Sequence, residues 1–154
     1  DDAVENHNAV AAENLVRLAI LTGDESWRDR ADRLFDGVIP LAAENLFGHA
    51  ALLNALDFRL RAAEIVITGP DERAAPLLAA AALLPFLETV VVRSPDAEAL
   101  PATHPAQAKL AAANRQTAAF VCVGQYCSLP VTEPAALLDT VQAMRGGEPI
   151  AFST

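Results

Sequence analysis

The stretch "EIVITGPDERAAPLLAAAALLPFLETVVVRS", Glu64 to Ser94, decides how the chain is read. It opens on a short β-branched run, Glu64–Thr68, closed by Gly69 and Pro70, which is the signature of a strand and a turn. Asp71 can cap a helix reaching about Leu84, with Leu77, Leu78, Ala81 and Leu84 turned inward. A second β-branched run follows at Thr89–Ser94. Strand, helix and strand at this separation fit a right-handed crossover between parallel neighbours.

Downstream, "PDAEALPATHP" reads as a proline-rich connection, then a helix at Ala106–Ala113 and a third strand at Ala118–Val123. Thr132 or Glu133 caps a last helix that carries Pro134 in its first turn, runs to Met144 and stops at Gly146–Gly147. Upstream the period changes to that of helices. Apolar residues recur from Val10 to Leu21, Asn6 or Asn8 can cap that run, and Gly23 and Asp24 end it and start the next. Trp27, Ala31, Leu34, Phe35 and Val38 then form one stripe. Pro40 is read as opening a third helix, with Ala42, Leu46, Ala50, Leu53 and Leu60 on one face.

The expected fold is therefore α+β: antiparallel helical hairpins over residues 1–61, a small α/β layer of three parallel strands over 62–146, and a tail at 147–154. Three helices do not close a bundle comfortably. The helical half reads as part of a larger array, or else as helices that pack against the small sheet and complete one domain; in the first case an uncovered apolar face predicts self-association of the chain by itself.

Composition narrows the function. The formal net charge of −9 repels phosphate backbones, and aromatic residues at 5% leave little to stack bases on, so nucleic acid is not an expected partner. No apolar run reaches the ~18 residues of a membrane span. Alanine, about a fifth of the chain, suits closely packed helices. Two cysteines in an acidic, alanine-rich chain fit a reducing cytoplasm better than a disulfide scaffold.

Both cysteines stand in "FVCVGQYCSLPVTEP", Phe120 to Pro134. Cys122 ends the third strand and Cys127 falls in the loop after it. Their spacing is not CxxC, and none of His7, His49 and His104 stands at zinc-ligand spacing from them. Structural thiols lead, with a structural or reversible disulfide and a metal clamp as the other readings; no metal and no cofactor is expected. His49 reads as a packing histidine and His104, before a proline, as an exposed loop residue. The leading segment "DDAVENHN" gathers Asp1, Asp2, His7 and Asn8 as candidate ligand-binding groups, or else as a solvated cap. The turn after Thr68 has one glycine where a dinucleotide fingerprint has three, and it lacks the Lys-Ser/Thr of a P-loop.

In their order and spacing, "DDAVENHNAVAAENLVRLAILTGD", "EIVITG", "VVVRS" and "AAFVCVGQYCSLPVTEPAALL" resemble the carboxy-terminal part of one family. These are the thioredoxin-domain proteins related to spermatogenesis-associated protein, and the resemblance covers roughly Asp1 to Met144. It implies an amino-terminal thioredoxin-like domain, an α/α toroid similar to six-hairpin glycosidases and N-acylglucosamine epimerases, and a small terminal α/β segment. This chain would then be a carboxy-terminal fragment holding the last hairpins and that segment. Asn8 matches the family's loop, whereas Glu5 stands where proline is common; Cys122 and Cys127 match its terminal cysteine pattern.

Three functions follow as expectations. The first is a non-catalytic terminal module of a larger cytoplasmic protein, whose partners are its own upstream portions. The second is a wall of a carbohydrate-acting toroid that takes a sugar-like molecule. The third is a redox role for the cysteine pair.

Overall fold

The computed structural model describes residues 6–113 and 116–146, which divide into two compact units, Asp1–Leu60 and Arg61–Thr154. The tail at 147–154 and residues 1–5 lie outside the described residues.

The first unit is helical. Helix α1 (His7–Thr22) begins where the Asn6 side chain accepts the backbone N–H of Asn8 at 2.9 Å. It ends at Gly23, whose φ of 67° an L side chain rarely adopts. Asp24 caps α2 (Glu25–Ala42) by accepting from the Ser26 N–H at 2.9 Å, and these hydrogen bonds hold its carboxyl below the usual range. Pro40 does not open a third helix: it lies inside the last turn of α2. Only one intrahelical bond is lost there, and the helix closes two residues later. The expected stripe from Ala42 to Leu60 is likewise interrupted by a 3₁₀ turn at Phe47–His49. Helix α3 (Ala50–Arg61) buries Leu52, Ala55 and Phe58 and leaves Leu60 exposed. Arg59 on α3 forks onto Asp32 on α2, Nε to Oδ1 at 2.6 Å and Nη2 to Oδ2 at 2.8 Å. This pairing holds the Asp32 carboxyl below its ordinary range. Arg17 on α1 lies 4.4 Å from the centre of the Phe58 ring.

The second unit is a four-stranded mixed sheet in the order β2-β1-β3-β4, formed by β1 (Ala63–Thr68), β2 (Thr89–Arg93), β3 (Ala118–Val123) and β4 (Tyr126–Cys127). Strands β1 and β2 are parallel, joined through α4 (Asp71–Ala81) as expected. Pro70, not Asp71, is the cap of α4, and the Asp71 carboxylate instead meets Arg93 at 2.9 Å. The third strand is not parallel: β3 runs antiparallel to β1, with Glu64 opposite Cys122 and Thr68 opposite Ala118. The connection from β2 to β3, which carries the short helix α5 (Gln107–Ala112), brings the chain back into the sheet at the end it left.

Both faces of the sheet are covered. Ile65, Ile67, Ala119 and Val121 pack against Leu77 of α4 and Leu137 and Val141 of α6 (Leu137–Gly146). On the other face Val66, Phe120 and Cys122 pack against Leu100, Ala106 and Leu110. Each such large apolar side chain contributes roughly 1.5–3 kcal/mol when fully buried. Among the described residues no helix is long and apolar enough to cross a membrane.

Candidate functional site

Four residues stand side by side across the sheet. Register pairs Val90 with Glu64, Glu64 with Cys122 and Cys122 with Cys127. Residues directly opposite in a ladder send their side chains to the same face, with Cβ atoms roughly 4.5–5.5 Å apart in antiparallel pairs. That face is the one covered by the segment between β2 and β3. The rung thus sets a carboxylate beside a sulfur in a largely apolar layer.

Cys122 and Cys127 are joined in a disulfide with Cα atoms 4.0 Å apart. The expectation of separate structural thiols, with Cys127 in a loop, is corrected. Gly124 adopts a φ of 57°, as a two-residue hairpin turn requires, and this folds Tyr126 and Cys127 back as β4. Cys122 on β3 is buried; Cys127, on the edge strand, is half-buried.

His104 is not the exposed loop residue that its neighbour Pro105 suggested; its side chain is only 4% exposed. The Ala106 N–H donates to Nδ1 at 3.0 Å, so the ring proton sits on Nε2. Nε2 donates to Glu64 Oε1 at 2.7 Å. The Glu64 side chain is 10% exposed. A carboxylate in the centre of a sheet demands a donor, and His104, forty residues away in sequence, supplies it.

A cation lies against the backbone at Cys127. Lys109 Nζ donates to the Cys127 carbonyl and, at 2.7 Å, to the Ser128 carbonyl. Because the Ser128 carbonyl is taken, the Ser128 hydroxyl accepts the Val121 N–H in its place, at 3.1 Å. Burial lowers the Lys109 amine from its ordinary value. Beside it opens a cleft of about 340 Å³, with Phe120 in its wall and Lys109, Gln116, Ser128, Leu129 and Pro130 around it.

Among the described residues the other candidates are not drawn together. His7 is exposed in the first turn of α1, and the Asn8 N–H is used by the cap. Asp1 and Asp2 lie outside the described residues. His49 Nδ1 lies 2.9 Å from the Asn45 carbonyl, a local contact one turn away. The turn after β1 is filled by the protein's own Arg93, which donates to the carbonyls of Ile67 (3.0 Å) and Gly69. Among the described residues no three His, Cys, Asp or Glu side chains gather as a metal site.

No family model, no curated protein and no solved structure matches the chain.

Proposed function

We propose that the chain is the non-catalytic terminal module of a larger cytoplasmic protein, similar to the thioredoxin-domain proteins related to spermatogenesis-associated protein, and that further helices of that protein lie against α1. The supporting observation is that α1 is apolar on two nearly opposite faces. Ala9, Ala12, Val16 and Ala19 are buried. At 100° per residue, Val10, Leu18 and Leu21 point almost the other way, and they are 40%, 38% and 55% exposed. Large apolar side chains on the outer side of a packed helix, here interspersed with exposed His7 and Asn14, form a surface that a further element can cover. The end of α2 and the turn after it add to this, with Leu41, Leu46 and the 98% exposed Phe47 within seven residues.

The expected behaviour of the 154-residue chain is concentration-dependent self-association by light scattering, with binding of an apolar dye. Replacing Val10, Leu18 and Leu21 together by glutamine should abolish most of both signals while leaving the helical circular dichroism in place. A monodisperse parent chain that binds no dye would remove the proposal.

A further inference from the structure

We infer that the Cys122–Cys127 disulfide is a thiol–disulfide exchange site for a protein dithiol, with Cys127 as the exchanging sulfur and the Glu64 carboxylate as proton acceptor for Cys122. The inference does not depend on the α1 face. It rests on the asymmetry built around the sulfurs. Cys127 lies on an edge strand, half-buried, with the Lys109 ammonium on its main-chain carbonyl and the next residue, Ser128, lining the cleft. Cys122 is buried on β3 with Glu64 directly across the ladder. A nearby cation favours a thiolate and a nearby carboxylate opposes one. The charged and titratable groups around the pair are Glu64, His104 and Lys109; Glu98, on the 3₁₀ turn Ala97–Ala99 of the covering segment, is exposed.

In the reducing direction, a partner thiolate attacks Cys127 Sγ. A bond forms between the partner's sulfur and Cys127, and the Cys127–Cys122 bond breaks. Its electron pair leaves on Cys122, which takes up a proton delivered through the Glu64 carboxyl. The partner's second thiolate then displaces Cys127, so the partner leaves as a disulfide and both cysteines are reduced. In reverse, Cys122 gives its proton to Glu64 and attacks Cys127 within the mixed disulfide, and the partner's thiolate departs. His104 acts as a positioning residue: its Nε2–H holds the carboxylate on the sulfur side of the sheet. The cleft that begins at the next residue, Ser128, offers room for the partner segment that carries the attacking sulfur. A purely structural role accounts less well for the arrangement, because an apolar side chain at position 64 would cover the disulfide without the cost of a buried carboxylate.

The test uses the full chain and dithiothreitol as the dithiol. Without denaturant, both thiols should become titratable and should re-form the disulfide with oxidised dithiothreitol. Glu64→Gln, which still accepts from His104, should slow re-formation at least about tenfold and remove an inflection from its pH profile. In single variants, Cys127 in Cys122→Ser should react with a small aromatic disulfide about tenfold or more faster than Cys122 in Cys127→Ser. The order of these two thiols decides the matter even where Glu64→Gln does not fold. A disulfide inert to excess native-state dithiothreitol, equal reactivity of the two cysteines, or a folded Glu64→Gln chain with parental rates and pH profile would each overturn the inference.

Discussion

Replacing His104 by alanine is expected to lower the unfolding free energy by about 3 kcal/mol, read as a shift of the urea midpoint at constant slope. The change leaves the Glu64 carboxylate in place, with a side chain only 10% exposed, and takes away the ring N–H that it accepts at 2.7 Å. It also takes away the acceptor of the Ala106 N–H. Two buried polar groups thus lose their partner at once, and breaking such a pair from one side costs more than its formation gains. Glutamine at position 104 can still offer an N–H to Glu64, so it should recover part of the loss. A deficit below about 1 kcal/mol for alanine would mean that the carboxylate is solvated in the folded protein.

Gly69→Ala should cost about as much or more, for a reason independent of polar chemistry. Gly69 has a φ of 101°, and a Cβ added there would stand 2.7 Å from the Thr117 Cα. An L residue held at such a φ costs about 1–3 kcal/mol by itself. The overlap is with backbone, so it can be relieved only by moving the end of β1 away from the start of β3, where Thr68 pairs with Ala118. The expected loss is about 3 kcal/mol or more. Gly37, inside α2 with nothing within 4 Å of an added Cβ, is the control. Alanine there should stabilise the helix by roughly 0.5–1 kcal/mol. Similar effects at the two glycines would contradict the close approach of β1 and β3.

The contrast between these two glycines also shows what the sequence makes legible. Signals that act over one turn were readable: Asn6, Gly23 and Asp24 delimit the first two helices because caps are local chemistry. The β-branched runs marked strands for the same reason. Pro40 was misread because a proline suits both the first turn of a helix and a position near its end, and only the course of the chain past Ala42 separates them. Strand direction is carried by no strand's own residues, and the antiparallel course of β3 shows only in its pairing with β1. The hairpin at Gly124 could have been found, since a glycine in a two-residue gap between "FVCV" and "YC" is a turn signal.

The pair of Glu64 and His104 was the most hidden part of the site. Forty residues separate them, and no spacing rule joins a strand residue to a loop histidine across the sheet. One clue was present. A glutamate opening the otherwise apolar "EIVIT" run, once that run is placed at the centre of a sheet, needs a donor, and His104 was one of three histidines to choose from. The disulfide was hidden for a related reason. The two cysteines become neighbours only when β4 folds back on β3.

Further helices of the same polypeptide are expected against the outer face of α1. The mass of the polypeptide that carries this sequence in cells tests this, read on a denaturing, reducing gel with an antibody raised against the purified chain. A single species far larger than the 16.2 kDa of these residues is expected, with room for additional helical hairpins. A sole species at 16.2 kDa would rule those helices out.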